Sequence, residues 1–227
     1  MITRLPRWVE SGAFVLALIA GTINAIGLLG FEHQAVSHVS GTATQFGSGL
    51  FMGQWMHVIQ LGGLLLAFFL GAAVSGCLLH GSTLKLGRHY DSALFVEAGL
   101  IMVAFYFLSR GVAIGQLAAS AACGLQNAMA TTYSGAIVRS THLTGIFTDL
   151  GLMLGGKLRG NPVDKRKLML FLLISSGFIV GGVMGAALFA HFHFAALLFP
   201  AGLCFVVALC YRGTMTRQRL SAGTSSK

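Results

Sequence analysis

Six long apolar stretches govern what this chain can fold into: roughly residues 11–31, 57–79, 92–109, 112–131, 168–190 and 194–211. A run of about 18 apolar residues is the length at which a helix crosses a bilayer. Only 9% of the 227 residues are charged and 55% are hydrophobic, where a soluble globule carries about 25% charged residues. The chain therefore reads as an all-α polytopic membrane protein, because lipid leaves the backbone no hydrogen-bond partner but itself. The first run follows Arg4 and Arg7 and so resembles a signal peptide. It is long, however, and lacks a small-x-small cleavage site, so it reads as an uncleaved first helix.

Polar residues inside such a chain are costly, and here they come twice. Ser37-His38-Val39-Ser40-Gly41-Thr42-Ala43-Thr44-Gln45-Phe46-Gly47 returns, 104 positions on, as Thr141-His142-Leu143-Thr144-Gly145-Ile146-Phe147-Thr148-Asp149-Leu150-Gly151. Asn24-Ala25 returns as Asn127-Ala128. Each motif leads into a short apolar piece, about 42–55 and 146–156. A helix of about 13 residues reaches only about 20 Å, against a hydrocarbon core of about 30 Å. Each piece is either a half-helix that re-enters from one side or part of one broken crossing.

Charge placement chooses between them. The chain has net charge +9 and 15 Lys and Arg, which sit in short segments between apolar runs; this is a topology signal and not a nucleic-acid footprint. With both short pieces re-entrant and the N-terminus cytoplasmic, every Lys and Arg except Arg110 lies inside or at the inner mouth. With both crossing, Lys85, Arg88 and Arg139 move outside. The positive-inside rule prefers the re-entrant arrangement. That gives a single membrane domain over 1–227, with about six transmembrane helices plus two short re-entrant or broken helices. Repeat one covers about 11–110 and repeat two about 112–212, in inverted topology. Both termini are cytoplasmic, and the tail 218–227 is expected to be disordered. Inverted repeats with interrupted helices are an architecture of secondary transporters.

Small residues at four-residue spacing, Gly71/Ser75 and Gly181/Gly185, are read as packing positions that let helices approach closely. The segment from Val112 to Thr132 carries Gly115, Gln116, Ser120, Gly124, Gln126 and Asn127 and is expected to be an inner helix beside the motif. Cys77, Cys123, Cys204 and Cys210 form no C-x-x-C pair and read as small core hydrophobes.

The paired motifs resemble the YoaK family of small bacterial membrane proteins of unknown function. The resemblance rests on Asn24-Ala25, Ser40-Gly41-Thr42, Gly124-Leu125-Gln126-Asn127-Ala128 and Thr141 to Asp149, and covers nearly the whole chain. Relatives carry Asp where this chain has Asn24, and Asn where it has Thr42. The resemblance implies a fold and a bacterial inner-membrane location, and no activity.

The residues expected to bind a substrate are Asn24, His38, Ser40, Thr42, Thr44, Gln45, Gln126, Asn127, His142, Thr144, Thr148 and Asp149. For each hydroxyl or amide alone, helix–helix hydrogen bonding is the competing explanation. Asp149 stands opposite Gln45 in the repeat; it is either functional or neutralises Arg139 or Lys157. Glu97, flanked by Val96 and Ala98, is either a proton-coupling carboxylate or a residue snorkelling toward Arg88. His38 and His142 invite a metal, but no spacing such as H-E-x-x-H accompanies them, so no metal or cofactor is expected. No P-loop, dinucleotide fingerprint or nucleophile elbow is present.

The leading expectation is a small secondary transporter or channel-like permease and not an enzyme. Its partners are membrane lipid and a small solute or ion, with homo-oligomerisation left open and no nucleic acid. The alternatives are a membrane-embedded metal-binding protein or enzyme using His38, His142 and Asp149, and a membrane scaffold or assembly subunit.

Overall fold

The computed structural model describes residues 8–30, 37–79, 89–134 and 143–224, with side chains over 10–30, 37–79, 89–132 and 143–214. The elements in order are α1 (Trp8–Gly30), α2 (Val39–Phe51), α3 (Trp55–Leu78), α4 (Tyr90–Leu108), α5 (Ile114–Ser134), α6 (Leu143–Leu158), α7 (Lys165–Phe192), a 3-10 turn (His193–Leu197) and α8 (Leu198–Thr224). Among the described residues there is no strand. Among the described residues four stretches are long and apolar enough to cross a membrane: Glu10–Gly30, Trp55–Leu78, Tyr90–Leu108 and Lys165–Thr214. The last contains both α7 and most of α8, broken at His193, whose φ is 49°. Leu66, Phe69, Val183, Phe205, Val206 and Leu209 point outward, as side chains in contact with lipid do.

Backbone-to-backbone contact sets the arrangement. α1 lies along α7, and a methyl group added at Gly21 would overlap the carbonyl of Phe178, while one at Gly181 would overlap that of Leu18. α3 lies along α5 in the same manner: Gly124 faces the Phe68 carbonyl, and Gly71 faces that of Ala121. The expectation that Gly71, Gly181 and Gly185 serve close packing is met; Gly185 abuts Thr22. Thr22 Oγ1 adds a hydrogen bond to the Gly181 carbonyl at 3.1 Å, and Ser120 Oγ one to Leu64 O at 2.9 Å.

The same contacts fix helix direction. Gly177 meets Phe14, Gly181 meets Leu18 and Gly185 meets Thr22, so α1 and α7 run parallel. Gln60 meets Gln116, Leu64 meets Ser120 and Phe68 meets Gly124, so α3 and α5 also run parallel. α1 and α5 oppose each other: Gln126 Nε2 donates to Leu16 O at 3.1 Å, and Ala130 clusters with Ala13 and Ala17. α4 turns back into α5 and runs against α8, with Asp91 beside Arg212 and Phe95 against Phe205. In chain order, α1, α3, α4, α5, α7 and α8 therefore alternate in direction.

The α5 helix is an inner one, as expected; it lies along α3, α4 and α1, and Ala130 near its end shares a cluster with Ile146 of the second motif. Two details depart from expectation. Cys77 and Cys210 are exposed, and only Cys123 and Cys204 are buried; a thiol on a lipid-facing surface loses little. α8 continues to Thr224, into the stretch expected to be disordered, where Gln218, Arg219, Leu220 and Ala222 are all good helix formers; 225–227 lie outside the described residues.

Adjacent glycines on α7 test the packing. Gly181 abuts backbone, whereas Gly182 has open space around it. Gly181→Ala should lower the thermal unfolding midpoint in detergent, by a loss of about 1–3 kcal/mol from overpacking. Gly182→Ala should be neutral or stabilising by up to about 1 kcal/mol.

Candidate functional site

The first motif begins beside α1. Ser37 Oγ donates to Asn24 Oδ1 at 2.7 Å, and the Ser37 amide approaches the same oxygen at 3.4 Å; Ser37 and Asn24 are both buried. One residue on, the His38 ring lies 6.2 Å from the ring of Phe178. Phe178 sits at the middle of α7 (Lys165–Phe192) and opposite Gly21 of α1. The start of α2 is therefore level with the middle of the long helices.

From there α2 runs outward. Phe46 packs at Gly62 and Gly49 at Val58, so α2 is antiparallel to α3, and its far end, Phe51, reaches the level where α3 begins. The chain reverses at Gly53, whose φ of 69° suits glycine. Gly53 N donates to Leu50 O and Gln54 N to Gly49 O, the paired bonds of a Schellman turn.

α6 repeats this from the other end. Ile146 is buried with Leu170, Phe171 and Ile174 of α7, while Asp149 reaches back to Lys167. α6 is therefore antiparallel to α7, and its first turn lies near the level of Phe178, which packs on the same cluster. Its reversal has the same bonds: Gly160 N to Lys157 O and Asn161 N to Gly156 O, with Gly160 at φ 87°. Among the described helices α2 lies along α3 and α6 along α7. The described parts of the two copies share a level, each against its own long helix.

The side chains divide accordingly. Thr42 Oγ1 donates to His38 O (3.2 Å), Thr44 Oγ1 to Ser40 O (3.0 Å) and Thr148 Oγ1 to Thr144 O (2.9 Å). These hydroxyls bond within their own helix and not across helices. Thr42 is buried, whereas His38, Ser40, Thr44, Gln45, Thr144 and Thr148 are exposed. His38 gives α2 no side-chain cap, so the first amides of α2 end beside His38 without one. Gln126 is buried and ties α5 to α1, and Asn127, the next residue, is half-buried. His142 lies outside the described residues.

Asp149 pairs with Lys167 at 3.4 Å and is 42% exposed; Lys157 is not its partner among the described residues, and Arg139 lies outside them. Glu97 does not snorkel: it is 0% exposed, close to the middle of α4. Among the described residues no three His, Cys, Asp or Glu side chains converge as a metal site.

Charge is segregated. Glu10–Arg166 (2.9 Å), Asp149–Lys167 and Asp91–Arg212 (3.9 Å) lie at the end where α1, α4 and α7 begin. Asp164 caps α7 there through the amides of Arg166 and Lys167. Arg110 lies at the opposite end, in the α4–α5 turn, over the Tyr106 ring. A pair that sequence reasoning missed also lies toward that end: Gln60 Nε2 donates to Gln116 Oε1 at 2.9 Å. It lines a groove of about 660 Å³ between α3 and α5 with Met56, His57 and Leu117. A glutamine at Gln60 in an apolar run was the available signal.

A protein family described as "Protein of unknown function (DUF1275)" matches residues 12–210. The chain belongs to this family. The match spans both motifs, agrees with the resemblance they carry, and brings no activity with it. No curated protein and no solved structure matches the chain.

Two substitutions separate the structural from the merely charged. Asn24→Ala strands a buried Ser37 hydroxyl and should cost about 1–3 kcal/mol in unfolding measurements. Asp149→Asn breaks a partly exposed ion pair and should cost at most about 1 kcal/mol.

Proposed function

We propose that the chain is a small secondary transporter or channel-like permease built from two inverted repeats. Six helices cross the membrane, and α2 and α6 re-enter from opposite faces. The observation that carries this reading is the pair of short helices. Each lies between two long helices of opposite direction, so neither is needed to cross, and each starts near the level of Phe178.

Correspondence between the halves supports the duplication. Gly21 and Leu18 stand to Gly124 and Ala121 as Asn24 stands to Asn127, and Phe68 and Gly71 meet them as Phe178 and Gly181 do in the other half. The two Schellman turns correspond as well. The end holding Arg166, Lys167 and Arg212 is the cytoplasmic one by the positive-inside rule, which puts the α2 half-helix on the outer side.

A half-helix that begins at mid-membrane presents free N–H groups and the positive end of its dipole to whatever occupies that space. On this reading the solute sits between the two starts. His38, Ser40 and Asn24 border it on one side, and Thr144 borders it on the other. Glycine turns and own-helix hydroxyl bonds leave the backbone ends as the main polar surface.

The reading requires that water reach both starts. In a background without native cysteines, His38→Cys should react with a small water-soluble thiol reagent from the outer side, and Thr144→Cys from the cytoplasmic side. A solute that binds should slow both reactions. If neither position reacts with water-soluble reagents while lipid-soluble ones label both, the half-helices stand in lipid and a scaffold role replaces the permease.

A further inference from the structure

The two half-helices leave one group unused. Glu97 stands near the middle of α4 and is wholly enclosed, at 0% exposure. Neither carboxyl oxygen has a nitrogen or oxygen hydrogen-bond partner among the described residues, and the Cys204 thiol, a weak donor, is the polar group that reaches it. Cys123 and Cys204, which face it, belong to the apolar cluster that also holds Ile101, Ala122 and Ala201. The titratable groups that face it are two thiols, Cys123 from α5 and Cys204 from α8. The nearest ion pair on α4 and α8, Asp91–Arg212, is six residues down α4, or about 9 Å away.

An ionised carboxylate so enclosed, with no cation and only a weak thiol donor beside it, would bear a desolvation cost that this contact does not offset. A neutral acid bears far less. The enclosed state therefore holds Glu97 protonated.

We propose that Glu97 is a proton-binding site whose loss of the proton parts the α4–α8 seam. The proton leaves to water and the carboxylate that remains must be hydrated, which requires α8 to separate from α4; reprotonation from water restores the closed seam. The position favours α8 as the part that moves. α4 and α5 are held by a tight turn at Ser109–Ala113, whereas α8 hangs from the 3-10 turn after His193. Resting on the transport reading, α4 and α8 are counterparts in the two repeats, so their seam is where the repeats would rock apart. A proton bound there ties solute movement to the proton gradient.

Cys204, buried against α4, reports the seam without any need to know the solute. The protein carrying Cys77→Ala, Cys123→Ala and Cys210→Ala is placed in lipid nanodiscs, with and without Glu97→Gln. Its labelling by N-ethylmaleimide is then followed from mildly acidic to alkaline pH. Thiol ionisation speeds labelling in both proteins, so the ratio of the Glu97 protein to Glu97→Gln isolates the seam. We expect that ratio to climb about tenfold, the signature of a tenfold rise in the open population. A carboxylate that ionised in place would instead repel the thiolate and slow labelling. A ratio that stays flat or falls overturns the proposal.

Should Glu97→Gln fail to fold, infrared spectra of the wild-type protein decide. A protonated-carboxyl band is expected at neutral pH, where exposed acids are ionised, and it should vanish at alkaline pH. Its absence at neutral pH overturns the proposal. If the seam opens with pH but no solute moves in vesicles, the proton site stands and the transport reading fails.

Discussion

Everything in this fold depends on the contact of helix backbones at Gly21, Gly71, Gly124 and Gly181. Lipid chains are as apolar as leucine, so hydrophobicity does not drive long helices together once they are in the membrane. Close approach does, through dispersion between backbones and hydrogen bonds such as Thr22 to Gly181 O. The glycines pair α1 with α7 and α3 with α5. Each pair takes one helix from either side of the α4–α5 turn. Neither side can complete its own packing, so the chain interlocks as one unit.

Parallel pairing has a second effect. With α1 and α7 parallel, α3 and α5 parallel, α1 opposed to α5 and α4 opposed to α8, the long helices alternate in direction. On the proposed reading the segments at α2 and α6 re-enter without crossing. Their lengths, 13 and 16 residues, suit that role. The Schellman turns at Gly53 and Gly160 fold each back against the next long helix. Ion pairs and the Asp164 cap gather at one end. That leaves the middle of the protein to Asn24, Ser37, His38 and the enclosed Glu97.

Much of this was legible in the chain. The apolar runs gave helices within a few residues of α1, α3, α4, α5 and α7, because length and burial on all sides leave few alternatives. The glycine spacing of α3 and α7 announced tight contacts, and each motif led into a helix too short for a full crossing, as α2 and α6 are. What could not be read was which helix meets which. Four-residue spacing marks a packing face but not its partner, so the exchange of α1 to α7 and α5 to α3 was invisible. Side-chain destinations were hidden for the same reason. A threonine in a helix can bond its own i−4 carbonyl as well as a neighbour, and Thr42, Thr44 and Thr148 do so. Asp149 found Lys167 because α6 folds back along α7. Glu97 looked interfacial by its distance from Arg88, yet helix α4 begins at Tyr90 and leaves it near the centre.

The central claim is that the two motifs enter the membrane from opposite faces. Its most direct test is the sidedness of the segments that lead into them. Single cysteines introduced as Gln34→Cys and Ser140→Cys, in a background without native cysteines, are exposed to a membrane-impermeant maleimide. Intact cells and inside-out vesicles present the two faces in turn. The account predicts that Gln34→Cys labels from the outer face and Ser140→Cys from the cytoplasmic face. Labelling of both from the same face would contradict it.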